Sequence, residues 1–278
     1  MNIVPYIKII RPLNFIITFL SVIGGGFIAI RQVSDFQIVF LLSAGLSAAL
    51  IGSGGNVLND YFDLEIDRVN RPERAIPSGV ISPNAALIYS SVLIVLGIFL
   101  AAKVSWILFI IATATSLILF LYSYKLKRLP LAGNITVAFL TGLVFIYAAI
   151  SVGNWFGGIV PFIFAFEINL IREILKDIED IEGDSSNGLK TLPISMGEAF
   201  SIKLIFVLTI ILIITTPVPF FVFDYNIYYL ILVVLLIDVP LFRFLLLLQK
   251  DKANIRRLSN GLKYLMLLGL VIMVIGVL

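Results

Sequence analysis

Residues 83–102, PNAALIYSSVLIVLGIFLAA, form an apolar run that contains no charged side chain. A helix needs about 20 mostly apolar residues to cross the hydrocarbon layer of a membrane. Ser82 and Pro83 at the start of the run are typical of a helix N-terminus, because a hydroxyl cap is followed by Pro at the first helical position. The run therefore predicts a membrane-spanning helix.

Similar apolar runs recur along the whole chain and predict about nine membrane-spanning helices. Short connections at 31–36, 103–105, 152–156 and 220–226 alternate with longer, charged ones at 59–82, 124–131, 176–201 and 249–258. We therefore expect an all-α integral membrane protein with one polytopic domain over residues 1–278. The predicted spans are 13–30, 37–58, 83–102, 106–123, 132–151, 157–175, 202–219, 227–248 and 259–278.

The composition excludes a soluble globular protein. Hydrophobic residues make up 60% of the chain and charged residues only 13%, whereas soluble domains have about 45–50% apolar and about 25% charged residues. The chain has no Cys and no His, which excludes disulfides, thiolate zinc sites and Ser-His-Asp triads. Any chemistry must use carboxylates, Lys, Arg, amides and hydroxyls.

The basic residues predict the orientation of the chain in the membrane. Of the 20 Lys and Arg residues only Arg31 and Lys103 lie in the short connections, so 20 − 2 = 18 lie on the other side. By the positive-inside rule, the N-terminus and the longer loops are then cytoplasmic, and Trp106 and Trp155 lie near the opposite interface. The net charge of +3 reflects this orientation and does not indicate nucleic-acid binding.

Two acidic motifs with the same spacing, D-x-x-D-x-x-x-D, follow the second and sixth predicted spans. They occupy residues 56–67 and 173–184 and predict an internal pseudo-repeat. Side chains three or four residues apart share one face of a helix, so each motif predicts one acidic stripe. We expect the two stripes to face each other. Their members are Asn56, Asp60, Asp63 and Asp67 in the first motif and Glu173, Asp177, Asp180 and Asp184 in the second.

This arrangement of carboxylates indicates a site for a divalent cation and a phosphate ester. Facing carboxylates repel each other unless a positive charge lies between them. Oxygen ligands without His or Cys favour Mg²⁺ or Mn²⁺, and Mg²⁺ usually adds substrate phosphate oxygens and water to one or two carboxylates. Basic residues that suit a phosphate follow the first motif, the fourth predicted span and the second motif. They are, in that order, Arg68, Arg71 and Arg74; Lys125, Lys127 and Arg128; and Lys190.

Other interpretations of these charges stay open. Charged residues at helix ends are commonly solvated surface, although charges at membrane depth usually mark functional sites. Lys125, Lys127 and Arg128 either bind phosphate or anchor the chain in the membrane, and Arg11 and Asn14 either anchor it or line the cavity. A cation transporter is the alternative from another class, but it would place carboxylates near the middle of the bilayer, on broken helices.

Both motifs resemble the signatures of the UbiA superfamily of intramembrane prenyltransferases. The first signature is matched by Asn59-Asp60-x-x-Asp63-x-x-x-Asp67 and the segment 70–79, and the second by the segment 177–184 and Lys190-Thr-Leu-Pro. Arg11-Pro-x-Asn14 and Tyr122-Ser-Tyr also match the superfamily. The resemblance implies a horseshoe of helices around a central cavity that opens to lipid, and Mg²⁺-dependent transfer of a prenyl group from its diphosphate.

Within the superfamily, residues 172–184 are most similar to the archaeal digeranylgeranylglyceryl phosphate synthases. This resemblance implies transfer of a geranylgeranyl group from geranylgeranyl diphosphate to the hydroxyl of geranylgeranylglyceryl phosphate, with formation of an ether bond in an archaeal membrane lipid. The implied partners are a prenyl diphosphate donor, a phosphorylated prenylglycerol acceptor and membrane lipid. Prenyl transfer to an aromatic acceptor of a quinone or haem pathway is the alternative.

The resemblance also implies a role for each candidate residue. Asp63, Asp67, Asp180 and Asp184 would be catalytic and would bind Mg²⁺ together with Asn59, and support would come from Asn56, Asp60 and Asp177. The substrate phosphates would be bound by cations, with Lys8, Arg11 and Arg68 as candidates for the acceptor phosphate. The full set of implied substrate-binding residues is Lys8, Arg11, Asn14, Arg68, Arg74, Lys125, Lys127, Arg128 and Lys190.

Overall fold

The computed structural model describes residues 3–30, 35–186, 188–248 and 255–278, and within these ranges the chain is predominantly helical. Arg31 and parts of the predicted connections 31–36 and 249–258 lie outside the described residues. The helices are α1 (Val4–Ile9), α2 (Pro12–Ile30), α3 (Asp35–Phe62), α4 (Leu64–Asn70), α5 (Pro83–Val104), α6 (Trp106–Tyr124), α7 (Ala132–Ser151), α8 (Ile159–Glu179), α9 (Ile181–Ser186), α10 (Leu192–Met196), α11 (Glu198–Thr215), α12 (Val218–Val222), α13 (Ile227–Val233), α14 (Val239–Leu248) and α15 (Ile255–Val277).

The described residues contain eight helical segments that are long and apolar enough to cross a membrane. The chain is therefore a multi-pass membrane protein, as predicted. The predicted span 157–175 lies in α8, which is 21 residues long but is not among the eight segments. Its C-terminal half carries several charged side chains, including Arg172, Glu173 and Lys176. The count of nine spans therefore stays a prediction.

The predicted N-terminus of α5 is confirmed. The Ser82 hydroxyl oxygen accepts a hydrogen bond from the backbone N–H of Ala85 at 3.2 Å, and Pro83 occupies the first helical position. Ser105 caps α6 in the same way, because its hydroxyl oxygen accepts the N–H of Leu108 at 3.2 Å. A single residue therefore separates α5 from α6.

The chain divides into two compact units, each of which carries one acidic motif. The first unit comprises Met1–Leu126 and Tyr147–Phe156, and the second comprises Lys127–Ile146 and Gly157–Leu278. Helix α7 contributes to both units. The description of residues 1–278 as one domain stays a prediction.

In the first unit, α3 and α5 approach each other closely at two glycines. The Ser47 hydroxyl on α3 donates to the Gly97 carbonyl on α5 at 2.7 Å, and the Ser90 hydroxyl on α5 donates to the Gly54 carbonyl on α3 at 2.8 Å. Small residues and serine hydroxyls are the usual means by which helices approach each other inside membranes. These contacts fix α3, whose C-terminal end carries the first acidic motif.

We expect Gly97→Ala to destabilise this helix pair. A Cβ at Gly97 would lie 2.9 Å from the backbone oxygen of Ser47 and 2.6 Å from Cγ1 of Ile51, and overpacking of this kind costs about 1–3 kcal/mol. Gly52→Ala on α3 is the matched control, because a Cβ there meets nothing within 4 Å. Unfolding of both variants in mixed micelles measures the difference. Equal stability of the two would contradict the proposed close packing.

In the second unit, α8 packs against α11 and α15, and Asn226 joins α13 to the end of α15. The side-chain oxygen of Asn226 accepts the backbone N–H of Tyr229 at 3.0 Å, and its side-chain nitrogen donates to the carbonyl of Ile275 at 2.8 Å. These contacts place α8, which leads into the second acidic motif, within a packed group of helices.

Candidate active site

The helix that carries the first acidic motif is interrupted at its second aspartate. Helix α3 ends at Phe62, α4 begins at Leu64, and Asp63 between them has φ −88° and ψ 2°. This bridge region of backbone conformation is sparsely populated and is frequent at active sites. The N–H of Asp63 still donates to the carbonyl of Asn59 at 2.9 Å, and its carbonyl accepts the N–H of Asp67 at 2.8 Å.

The second motif is interrupted at the equivalent residue. Helix α8 ends at Glu179, α9 begins at Ile181, and Asp180 has φ −100° and ψ 11°. Its N–H donates to the carbonyl of Lys176 at 2.9 Å, and its carbonyl accepts the N–H of Asp184 at 2.8 Å. Each motif therefore contains a one-residue break between two helices, which we call a corner, and the expectation of one unbroken helix through each motif is wrong. The two corners share their backbone conformation.

In the first motif, two arginines pair with two of the carboxylates. Arg11 donates to Asp60 at 2.8 Å, and Arg74 donates to Asp67 at 2.6 Å and to Asp60 at 3.4 Å. Both carboxylates are largely buried, with exposed side-chain fractions of 11% for Asp60 and 7% for Asp67. Burial of carboxylates is tolerated only with charge partners, so the two guanidinium groups hold α4 and the end of α3 in place.

We expect Arg74→Met to destabilise the first unit. Removal of one partner of a buried ion pair leaves an uncompensated charge and costs about 3–5 kcal/mol. Arg71→Met is the matched control, because Arg71 is exposed and lies three residues earlier in the same segment. Unfolding in mixed micelles measures both variants, and an Arg74→Met protein as stable as the control would contradict the role of this ion pair.

The remaining polar residues of the first motif form a local pair. The side-chain amide nitrogen of Asn59 donates to Oδ2 of Asp63 at 2.8 Å, so the side chains of Asn59 and Asp63 are in direct contact. Asn56 lies one turn earlier on α3 and is half-buried. Carboxylate and amide oxygens are the hard ligands that Mg²⁺ prefers.

In the second motif, the carboxylates of Asp177 and Asp184 are half-buried. Asp177 accepts a hydrogen bond from the side-chain amide of Asn134 on α7 at 2.9 Å. Burial, together with repulsion from Asp180, raises the pKa of Asp184 to about 6. Asp180 itself is exposed. A cation bound beside Asp180 and Asp184 would lower the free-energy cost of ionising Asp184, because it would offset the repulsion between the two carboxylates.

Sequence reasoning did not select Asn134 as a site residue. The only available signal was a polar amide in the first turn of an apolar helix, and nothing local relates it to Asp177, which lies 43 residues later. The contact arises because α7 and α8 lie side by side in the second unit.

The other predicted substrate-binding residues lie mostly at the surface. Arg68 is bound to Glu65 on the same helix at 2.8 and 3.0 Å. Lys8 lies on α1, Asn14 in the first turn of α2, and Lys190 two residues before α10. All three are exposed. The remaining three follow α6 in and next to a 3₁₀ turn: Lys125, Lys127 and Arg128.

The oxygen ligands of the motifs suit Mg²⁺, although they do not form a preassembled cage. Within the ranges that the structure describes, no three acidic side chains converge into a metal site. Each motif instead has two oxygen-bearing side chains near each other: Asn59 is hydrogen-bonded to Asp63, and Asp180 is close enough to Asp184 to repel its charge. Mg²⁺ is usually bound in this way, because waters and substrate phosphates complete its octahedron.

Comparison with known proteins identifies the family. Residues 18–271 match the UbiA prenyltransferase family. The chain belongs to this family. The UbiA match covers nearly the whole sequence and both acidic motifs, which confirms the resemblance expected from the motifs alone.

One UbiA relative similar over almost its full length is the digeranylgeranylglyceryl phosphate synthase of Methanobrevibacter smithii. It is 38% identical, and the alignment covers 98% of this chain and 97% of the relative. A solved structure of a digeranylgeranylglyceryl phosphate synthase has a TM-score of 0.84 at 33% identity and covers 98% of this chain and 97% of that chain. A UbiA homolog from Archaeoglobus fulgidus bound to GPP and Mg²⁺ has a TM-score of 0.72 at 20% identity, with coverage of 98% and 99%, and shows the same fold.

Proposed function

We propose that the protein transfers a geranylgeranyl group from geranylgeranyl diphosphate to the hydroxyl of geranylgeranylglyceryl phosphate. The reaction breaks the bond between the prenyl carbon and the diphosphate oxygen. It forms an ether bond to the glycerol oxygen, and the hydroxyl proton is released. The observation that carries this proposal is the similarity, over nearly the whole chain, to relatives named digeranylgeranylglyceryl phosphate synthase.

Mg²⁺ would be held by the two pairs of oxygen ligands. We assign Asn59 and Asp63 in the first motif and Asp180 and Asp184 in the second to this role. The metal supplies positive charge that stabilises the departing diphosphate. Both motifs then serve the same reaction, and loss of either should stop it.

In this proposal, the two carboxylates of the first motif that pair with arginines have a positioning role. Asp60 and Asp67 already accept hydrogen bonds from Arg11 and Arg74, so they position the corner that presents Asn59 and Asp63. Asp177 has the equivalent role in the second motif, where Asn134 holds it. Asn56 supports the first pair from one turn away.

Cations near the helix ends would bind the diphosphate. Charge-assisted hydrogen bonds to phosphate are about twice as strong as neutral ones, and preorganised donors of this kind are worth about 3–4 kcal/mol each to catalysis. The candidates are Lys125, Lys127, Arg128 and Lys190, and Lys8, Asn14 and Arg68 are further candidates for substrate contacts.

We also propose that the acidic motifs and the N-terminus lie on the cytoplasmic side of the membrane. The support comes from the 18 Lys and Arg residues predicted on that side. Trp106 and Trp155, on the opposite side in this topology, are largely exposed, as interfacial indoles are. The apolar prenyl chains would lie among the membrane-spanning helices, where burial contributes about 0.8 kcal/mol per CH₂ group.

A product assay tests the proposed function. The purified protein, with Mg²⁺ and radiolabelled geranylgeranyl diphosphate, is offered either geranylgeranylglyceryl phosphate or 4-hydroxybenzoate as the acceptor. We expect labelled ether lipid with the first acceptor and no labelled product with the second. Labelled aromatic product alone would favour the alternative acceptor class and reject the proposal.

A further inference from the structure

A group of basic side chains lies in the second unit, at the N-terminal end of the second acidic motif. The group comprises Arg172 and Lys176 on α8 and Lys263 on α15, and we call it the basic cluster. Arg172 donates to Oε1 of Glu173 at 2.9 Å, and Lys176 donates to the same oxygen at 2.5 Å. Lys263 is close enough to Arg172 and Lys176 for both to repel its charge.

The basic cluster has more positive charge than its own acidic neighbours neutralise. Glu173 is the carboxylate that contacts it directly, and Glu179 is near enough to attract Arg172 and Lys263. Glu179 is also paired with Arg256 at 3.8 Å. Asp177 on the same helix also attracts Lys176. Four cations (Arg172, Lys176, Lys263 and Arg256) therefore share three carboxylates (Glu173, Asp177 and Glu179), and the excess is one positive charge.

One donor in the basic cluster has no acceptor. The Nε–H of Arg172 is buried and has no hydrogen-bond partner within the described part of the chain, and only 13% of its side chain is exposed. Buried donors are nearly always satisfied in proteins. A guanidinium group offers its Nε–H and Nη–H groups as a planar fork, which matches two oxygens of a phosphate.

We propose that the basic cluster binds the phosphate monoester of a lipid substrate, with the Arg172 fork as its main contact. A phosphate monoester carries a charge of about −1.5 to −2 at neutral pH, and the excess positive charge of the cluster attracts it. A phosphodiester headgroup carries a smaller negative charge, so the cluster attracts it less strongly. This inference rests on the proposed function, because the acceptor there is a phosphate monoester on a prenylated glycerol.

The position of the basic cluster suits an acceptor site. Arg172 lies five residues before Asp177 on α8, which is about 7.5 Å along the helix. A phosphate held there keeps the polar end of the acceptor beside the second acidic motif. Lys8, Arg11 and Arg68, which the sequence indicated for the acceptor phosphate, lie in the other unit.

Steady-state kinetics of Arg172→Gln and Lys263→Gln test the proposal. Loss of a charge-assisted hydrogen bond corresponds to roughly a 10- to 100-fold change. We expect KM for geranylgeranylglyceryl phosphate to rise by that factor, with KM for the donor within about twofold of wild type. Arg257→Gln is the matched control, because Arg257 is an exposed arginine on α15 outside the basic cluster.

The dephosphorylated acceptor geranylgeranylglycerol separates phosphate recognition from a structural effect. We expect Arg172→Gln to raise KM for the phosphorylated acceptor and to leave KM for geranylgeranylglycerol unchanged within about twofold. Arg172→Lys, which keeps the charge and loses the fork, should recover part of the affinity. An equal rise for both acceptors would show that Arg172 supports the fold and would overturn the proposal.

A binding measurement without turnover distinguishes this inference from the proposed function. With donor and Mg²⁺ absent, geranylgeranylglyceryl phosphate should raise the thermal midpoint of the wild-type protein and not that of Arg172→Gln. Inorganic phosphate should compete with it. Stabilisation by phosphatidylglycerol alone would assign the basic cluster to a bilayer headgroup and overturn the proposal. If the wild type binds the phosphorylated acceptor but does not turn it over, the proposed function fails and this inference stands.

Discussion

Asp63→Asn and Asp184→Asn should each lower kcat by at least about 100-fold, because each removes a charged ligand of the proposed metal site. Asp63 and Asp184 belong to different motifs and different units, so equal severity is expected only if both motifs act in one reaction. The measurement is the rate of labelled ether lipid formation at saturating donor and acceptor. The amide replacements keep the size of the side chain, so both variants should stay folded in detergent.

Two matched controls lie beside these residues. Glu65→Gln on α4 and Glu182→Gln on α9 make the same charge change at exposed positions, and we expect their kcat within about threefold of wild type. Near-normal turnover of Asp63→Asn or Asp184→Asn would remove that residue from the metal site. If a control variant loses as much activity as the motif variants, then turnover depends on any charge near the corner and not on the proposed metal ligands.

Removal of Mg²⁺ should stop the reaction completely and reversibly. Mg²⁺ keeps waters and shares its coordination with substrate phosphates, so chelation with EDTA should strip it from the enzyme without unfolding it. Addition of excess Mg²⁺ should restore the rate, and Mn²⁺, which prefers similar oxygen ligands, should restore part of it. The measurement is product formation before chelation, after chelation and after each addition.

Chelation also has a control that does not depend on turnover. The thermal midpoint of the protein without substrate should change little with EDTA, since Arg11 and Arg74 neutralise Asp60 and Asp67 in the absence of metal. Undiminished product formation in EDTA would refute the metal-dependent mechanism. Irreversible loss of activity with a large drop in the midpoint would indicate a structural role for the cation.

Much of the site can be predicted from sequence because its signals are local. The spacing of Asp60, Asp63 and Asp67 recurs at Asp177, Asp180 and Asp184, and helix periodicity alone relates neighbours three or four residues apart. The break of the helix at Asp63 and at Asp180 was not predicted. A backbone corner depends on the packing of the short helix that follows it, and helical spacing carries no information on that packing.

Hydropathy and residue spacing are properties of single segments of the chain, and they suffice to predict a helical, multi-pass membrane protein with two acidic motifs at helix ends. Which charged groups contact each other depends on the packing of the helices. Arg11 reaches Asp60 across 49 residues and Asn134 reaches Asp177 across 43. The buried Nε–H of Arg172 finds no acceptor among the residues that the structure describes. Such contacts depend on how helices far apart in sequence pack together, and the strength of an ion pair depends on burial that packing alone creates.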